Sequence, residues 1–525
     1  MELSPIVNEL LNVFESGKPT QKSGHKFSVS RTVSTFAVLY EKARNAVEFR
    51  AEHLVRRAAI ERILKRKFTL ESDPKIITES LMLELIWAKY IDSSQIDDTE
   101  IHTVAEIITK YLYLRQNVFS PSSPKYQGVS WDTVIGIASA EIDETILPAQ
   151  KREGLLNFVY QSVRGKIQVP SVDPTLLNML TYISVERTFA QSDNALITYH
   201  LLKMFDPSWT KRSWKDVAPT VQSFITSIQT ILQQLSSPLI APLGRYLRKQ
   251  LPPFLLLRDF FFEHESDARS IIEDAAKFEE SLSVIAHKRY QESGEKVRRA
   301  VIRSIIYIFL TKMVLALALE APVDILIVKR IDYLPLAINA LFPPLLLFLI
   351  TAFIAIPGMD NTKRLLERIK LIIYKFAEYQ KGQDAFTLKA GRKRPLLSSI
   401  FSLFYMIGFM ISFGLIIFVL TSLRFNIASQ IIFVFFVALV TLFAYRIRQS
   451  AKEYEMIERQ GIMEPIIDFF FLPILYAGDV LSKEIAKINV FIFIFDFILE
   501  APLKVIFEVI EEWIRFIRTK KEEII

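Results

Sequence analysis

From Leu397 to Leu420 the chain carries no charged side chain, and no other feature restricts its fold so strongly. A helix rises about 1.5 Å per residue, so about 20 apolar residues suffice to cross the roughly 30 Å hydrocarbon core of a bilayer. Residues 334–356 meet the same condition. Residues 431–445 are uncharged but short, and reach spanning length if the helix starts back at Ile427. Segment 304–319 is weaker, with Lys312 at its middle. A mid-bilayer lysine costs roughly 2.5–3.5 kcal/mol, which Ile, Leu and Phe neighbours offset at roughly 0.3–0.6 kcal/mol each. Four spans are expected: 304–319, 334–356, 397–420 and 427–445.

The loops between them are unequal. Residues 357–395 hold ten Lys or Arg against four Asp or Glu, and the flanks 288–303 and 446–459 are also basic. The short links after spans one and three carry few charges. Because basic loops stay on the cytoplasmic side, this pattern predicts a multi-pass protein of the cell membrane with both termini in the cytoplasm. Residues 1–18 interrupt their apolar positions with Glu2, Glu9 and Glu15 and show no secretory leader, so the first 300 residues are expected to be cytoplasmic as well.

That long N-terminal part reads as all-α, a helical bundle or array. Glycine is scarce at 15 and phenylalanine abundant at 40, which disfavours a turn-rich β architecture. Helices are expected at 3–14, 31–68, 75–90, 99–114, 131–147, 153–167 and 174–205, with a polar linker before Ser30 and another over 120–130. The domain sequence is therefore 1–30, a helix and linker; 31–262, a helical domain; 263–303, a charged connecting helix; 304–445, the membrane domain; and 446–525, an amphipathic or re-entrant C-terminal region.

The chain is cysteine-free, which excludes disulfides, thiolate metal sites and cysteine nucleophiles. Its net charge of +7 is uneven: residues 31–67 carry ten basic and four acidic side chains. Such a run reads first as a solvated helix face and second as a phosphate grip, with Glu52–Arg56 and Glu61–Lys65 in the favourable i,i+4 order. A nucleic-acid partner is not expected, since the basic charge is local.

Motifs for chemistry are missing. No phosphate-binding glycine loop, dinucleotide fingerprint, nucleophile elbow or His-Glu-x-x-His occurs, so no cofactor, metal or catalytic residue is assigned. The six histidines are scattered. His264, within Glu263-His264-Glu265-Ser266-Asp267, is the one crowded by carboxylates, yet adjacent helical residues diverge and a solvated helix start is the plainer reading. The word Leu-Glu-Ala-Pro at 319–322 and 499–502 is expected by chance in a chain of this length.

Two sets of charged residues remain as candidates. Lys312, Glu320 and Asp324, with the four-residue series Asp496, Glu500, Lys504 and Glu508, could form a polar path among membrane helices. The series fits equally a helix lying in the interface with its charges toward water. Arg245, Arg248 and Lys249, the triplet Arg392, Lys393 and Arg394, and Arg515 with Arg518 are placed to meet anionic lipid. Pro238 to Phe262 is either such a surface element or a buried connector. The functional expectation is a membrane scaffold or regulatory protein whose helical domain binds protein partners or the membrane surface, or itself. An oligomeric transporter or channel is the alternative, and an enzyme comes last.

Overall fold

The computed structural model describes residues 3–16, 31–48, 52–119, 129–315, 333–352, 354–382, 386–387, 395–456 and 463–487, with isolated positions at 318, 320, 322, 325, 509, 513, 516 and 517. Among these the chain is all-α. The strands Ile167–Gln168 and Phe386–Thr387 are two residues each. Two compact units form: Pro5–Ile167 with Val172–Arg248, and Lys249–Asn489.

The first unit contains α1 (Pro5–Ser16), α2 (Arg31–Glu48), α3 (Glu52–Leu70), α4 (Pro74–Trp87), α5 (Asp98–Asn117), α6 (Trp131–Ile146), α7 (Gln150–Arg164), α8 (Pro174–Val185), α9 (Asn194–Phe205), α10 (Trp214–Val217) and α11 (Val221–Leu235). Five of them begin at a side-chain cap. Asp73 and Asp173 each precede a proline at the first helical position, Asp97 and Glu100 form a reciprocal capping box, and Ser130 and Asp193 accept from backbone N–H groups of α6 and α9. Each such cap stabilises its helix by about 1 kcal/mol and fixes where the chain turns.

At the centre lies α6, buried continuously from Val134 to Asp143. A Cβ built at Gly136 would stand 3.0 Å from the Ala195 Cβ of α9, so these two helices approach closely. Successive helical residues turn by about 100°, so Glu141, Asp143 and Glu144 leave α6 in three directions. Each meets a different cation. Glu141 pairs with Lys110 of α5 at 2.5 Å, Asp143 with Arg56 of α3 at 2.5 Å, and Glu144 with His200 and Lys203 of α9.

Four arginines of the basic run at 31–67, Arg56, Arg57, Arg62 and Arg66, are held in ion pairs rather than on a solvated face, whereas Lys42 and Lys65 are exposed. Glu61 does pair with Lys65, at 3.1 Å, and Arg56 pairs with Asp143 at 2.5 Å. Arg57 is buried and donates to Glu61, Ser139 and Asp193, Arg62 bonds Glu41, and Arg66 bonds Glu84. These arginines tie helices together because carboxylates from distant parts of the sequence converge on them.

The expected helix over 174–205 is broken. α8 ends in a π turn, Glu186–Ala190, Gln191 adopts a left-handed φ of 54°, and Asp193 starts α9 afresh. No glycine or proline announced the break.

The second unit begins within α12 (Ile240–Glu263), which stays helical through Pro252 and Pro253. Its apolar residues Leu251, Phe254 to Leu257, Phe260 and Phe261 are buried, so this part of the segment is core, whereas Arg245, Arg248 and Lys249 are exposed. α13 (Ala268–Glu273) leads to α14 (Ala275–Leu315), a single helix of 41 residues and about 60 Å. Then come α15 (Tyr333–Ala352), α16 (Met359–Tyr374), α17 (Phe376–Lys381), α18 (Pro395–Ser422), α19 (Ile427–Ala451) and α20 (Met463–Lys487). The last is twice the length of the apolar stretch visible at 466–477 and is helical through Pro473.

Three helices among the described residues are long and apolar enough to cross a membrane: Leu334–Ala352, Ser399–Ser422 and Ile427–Ala451. They differ in how much they bury. Only 17% of the apolar window of α18 is buried, against 50% for α19, so α19 is the inner helix and α18 presents Phe401, Met410 and Phe418 outward. The end of α14 behaves similarly, with Ile306, Tyr307, Leu310 and Val314 exposed and Ile308 packed beside Leu347, Phe436, Val440 and Ala444. α19 and α20 touch closely, since a Cβ at Gly478 would lie 2.3 Å from the Ala438 carbonyl oxygen. Gly408 faces the Phe469 ring, whereas no atom of the described residues lies within 4 Å of a Cβ at Gly414.

Candidate functional site

Four elements of the first unit converge on His200. α9 supplies the histidine and, one turn on, Lys203. The C-terminal turn of α6 supplies Glu144, α7 supplies Glu153, and the π turn supplies Glu186. The π turn widens the helix by one residue, a device that recurs where a side chain must be aimed at a site. Here it aims Glu186 at the imidazole.

Both ring nitrogens are occupied. Nδ1 meets Glu186 Oε1, and Nε2 lies 2.5 Å from Glu144 Oε1 and 3.8 Å from Glu153 Oε1. Glu186 is fully buried and accepts from the Ser192 hydroxyl at 2.5 Å through its other oxygen. Lys203 Nζ donates to Glu144 Oε2 at 2.7 Å and Glu153 Oε1 at 3.1 Å, and sits 4.8 Å from the Tyr199 ring centroid. One ligand atom each from His200, Glu144 and Glu153 falls within a 4.8 Å span. The cluster opens to solvent on one side: His200 is buried, while the Glu153 side chain is 42% exposed.

Burial alone disfavours an imidazolium, but the bonds to Glu144 and Glu186 outweigh it and raise His200 to about 9. The same bonds act in reverse on the acids. Burial pushes Glu144 and Glu186 up, yet His200, and for Glu144 also Lys203, hold both below the ordinary carboxylate range. The arrangement is a cation-demanding pocket. Three carboxylates face one permanent cation, and the histidine supplies the remainder either as imidazolium or as a neutral nitrogen ligand.

A second polar cluster lies in the other unit and includes two of the residues expected from the sequence. Lys312 Nζ donates to Glu320 Oε1 at 2.9 Å, and Asn339 Nδ2 donates to Glu320 Oε2 at 2.6 Å and to the Ser429 carbonyl at 3.3 Å. Lys312, Glu320 and Asn339 are all fully buried, and the ammonium lies 4.7 Å from the Phe436 ring centroid. Lys312 lies on α14 and Ser429 in the first turn of α19. The cluster therefore joins α14 to the first half of α15 and the first turn of α19. Among the described residues Asn339 Oδ1 is buried with no hydrogen-bond partner.

Asp324, Asp496, Glu500, Lys504 and Glu508 lie outside the described residues, as do Arg392, Lys393, Arg394, Arg515 and Arg518. His264 meets the Ser281 hydroxyl at 2.9 Å, the Phe260 ring and, at 3.7 Å, Asp267, one of the acids near it in sequence.

Sequence reasoning missed the His200 site. Its ligand atoms come from positions 144, 153, 186 and 200, and no local spacing joins them. The available signal was a lone histidine inside the apolar run Leu196 to Leu202, where burial requires a partner. No family model, curated protein or solved structure matches the chain.

Proposed function

We propose that the chain is a multi-pass protein of the cell membrane that acts as a scaffold or regulator, its N-terminal helical unit facing the cytoplasm with both termini. The bilayer reading is supported by the outward apolar faces of α14, α15 and α18, since soluble monomers rarely expose contiguous apolar surface on this scale. The cytoplasmic placement follows from the basic residues of 357–395 and the flanking segments.

One observation favours a scaffold over a transporter. Lys312 and Glu320, the two described members of the polar path, are buried and bonded to one another and to Asn339. Paired this way, they fasten helices to each other. The helical unit in turn leaves Leu70, Ile76, Met204 and Trp214 exposed, and these are the side chains expected to meet a protein partner.

Photo-crosslinking amino acids at Leu70, Met204 and Trp214 of the full chain in native membranes test this. Discrete protein adducts are expected. Adducts to lipid alone would replace protein partners by the membrane surface. Substrate-dependent flux in reconstituted vesicles that disappears in Lys312→Met would overturn the scaffold reading in favour of transport.

A further inference from the structure

We propose that His200 Nε2, Glu144 Oε1 and Glu153 Oε1 bind one divalent transition-metal ion that ties α9, α6 and α7 together, with Glu186 as the carboxylate behind the histidine. The proposal stands on geometry. The three donor atoms fall within 4.8 Å of one another and come from three helices. Ligand atoms about 2.0–2.2 Å from a common ion lie roughly 3–4 Å apart, so small side-chain shifts admit the ion.

The histidine is also prepared in the way a ligand histidine is. Its Nδ1 faces Glu186, which is fully buried and bonded to the Ser192 hydroxyl. A carboxylate there fixes the tautomer that carries hydrogen on Nδ1, leaves the Nε2 lone pair free and raises its donor strength. Glu144 divides its oxygens accordingly, Oε1 toward His200 and Oε2 toward Lys203. An ion on Oε1 leaves the Lys203 bond to Oε2 in place, and Lys203 needs only to release Glu153.

Charge counting leads to the same ion. Glu144, Glu153 and Glu186 contribute three negative charges and Lys203 one positive, leaving a deficit of two with neutral His200. A divalent cation closes it, whereas a proton on His200 closes half. The ion displaces that proton. One imidazole and two carboxylates, without thiolate, suit zinc, manganese or iron(II) and do not suit copper(I). The exposed flank at Glu153 leaves a face for entry and for a water ligand. The inference is independent of the scaffold reading, because it concerns an ion and not a partner.

The full chain, purified in detergent and stripped with a chelator, is titrated with Zn2+ and separately with Mn2+, with Mg2+ as the hard-cation control. One ion per chain is expected for Zn2+ or Mn2+, with a rise in the thermal midpoint, and Mg2+ is expected to bind far more weakly. Co2+ provides a spectroscopic probe, its visible bands reporting nitrogen and oxygen ligands. Glu153→Gln sits at a half-exposed position and leaves the fold intact, so it carries the decisive test: affinity drops at least about tenfold. Lys203→Met removes the competing ammonium and tightens binding. His200→Ala abolishes the Co2+ bands. Absence of saturable Zn2+ or Mn2+ binding overturns the proposal and leaves His200 as an imidazolium between two carboxylates. Binding unchanged in Glu153→Gln and His200→Ala equally overturns it, placing the ion elsewhere.

Discussion

Replacing Lys110 by methionine tests whether the buried charges of the helical unit act as pairs. Lys110 and Glu141 are 1% and 2% exposed, and their 2.5 Å contact is supplemented by the Tyr111 hydroxyl at 2.7 Å and the Trp209 indole N–H at 3.3 Å, both on Glu141 Oε2. Removing the ammonium leaves a buried carboxylate with neutral donors alone, a loss of about 3–5 kcal/mol. At about 2–4 °C per kcal/mol for a unit of this size, the midpoint falls by about 6–20 °C. Lys110→Met/Glu141→Gln strands no charge, and the glutamine oxygen still accepts from Tyr111 and Trp209. The double variant is therefore expected to lie closer to the parent than either single. Thermal unfolding of the full chain in detergent, followed by far-UV ellipticity and by the near-UV signal of the stacked Trp209–Phe224 pair at 4.3 Å, reads both. A Lys110→Met variant within about 0.5 kcal/mol of the parent, or a double variant whose loss equals the sum of the singles, refutes the reasoning.

Three more perturbations address other sites. Gly478→Ala puts a Cβ 2.3 Å from the Ala438 carbonyl and is expected to cost about 1–3 kcal/mol by forcing α19 and α20 apart; Gly414→Ala, which meets no atom of the described residues within 4 Å, is the neutral or slightly stabilising control. Lys312→Met strands buried Glu320 and should lower folded yield and midpoint, with Lys312→Met/Glu320→Gln milder; equal behaviour of single and double variants would show that the two groups are not coupled. His53 is lowered to about 4 by burial and by Arg152, so the fold favours its neutral form. Its contribution is complete above pH 6.5 and is lost as pH falls through about 4. Unfolding midpoints of the parent and His53→Gln measured across that window should converge on the acid side, and parallel profiles would discount it.

The apolar helices were legible because their signal is local: α18 needs no knowledge of its neighbours to be recognised as too apolar for water. Arg57 is the opposite case. Its charge suggested a solvated face, and its burial depends on Ser139 and Asp193, which lie 82 and 136 residues away. His200 was silent for that reason too. Lys312 and Glu320 stood out against an apolar background, but that they bond to each other and to Asn339 depends on the packing of α14 against α15. The break between α8 and α9 eluded reading because the apolar rhythm continues across it while the hydrogen-bond register changes.

The divergence of Glu141, Asp143 and Glu144 from α6 also fixes alignment. Leu, Ile and Val surfaces of adjoining helices tolerate sliding, since one apolar contact resembles the next. Three acids aimed at three separate helices do not. A slip of α6 by one turn, about 5.4 Å, separates Lys110, Arg56 and His200 from their partners simultaneously, and each stranded buried charge adds several kcal/mol to the misaligned state. The same charges that add little net stability to the correct arrangement thus separate it in energy from its near neighbours, and exchanging Arg56 and Asp143 as a pair tests that alignment more directly than deleting either.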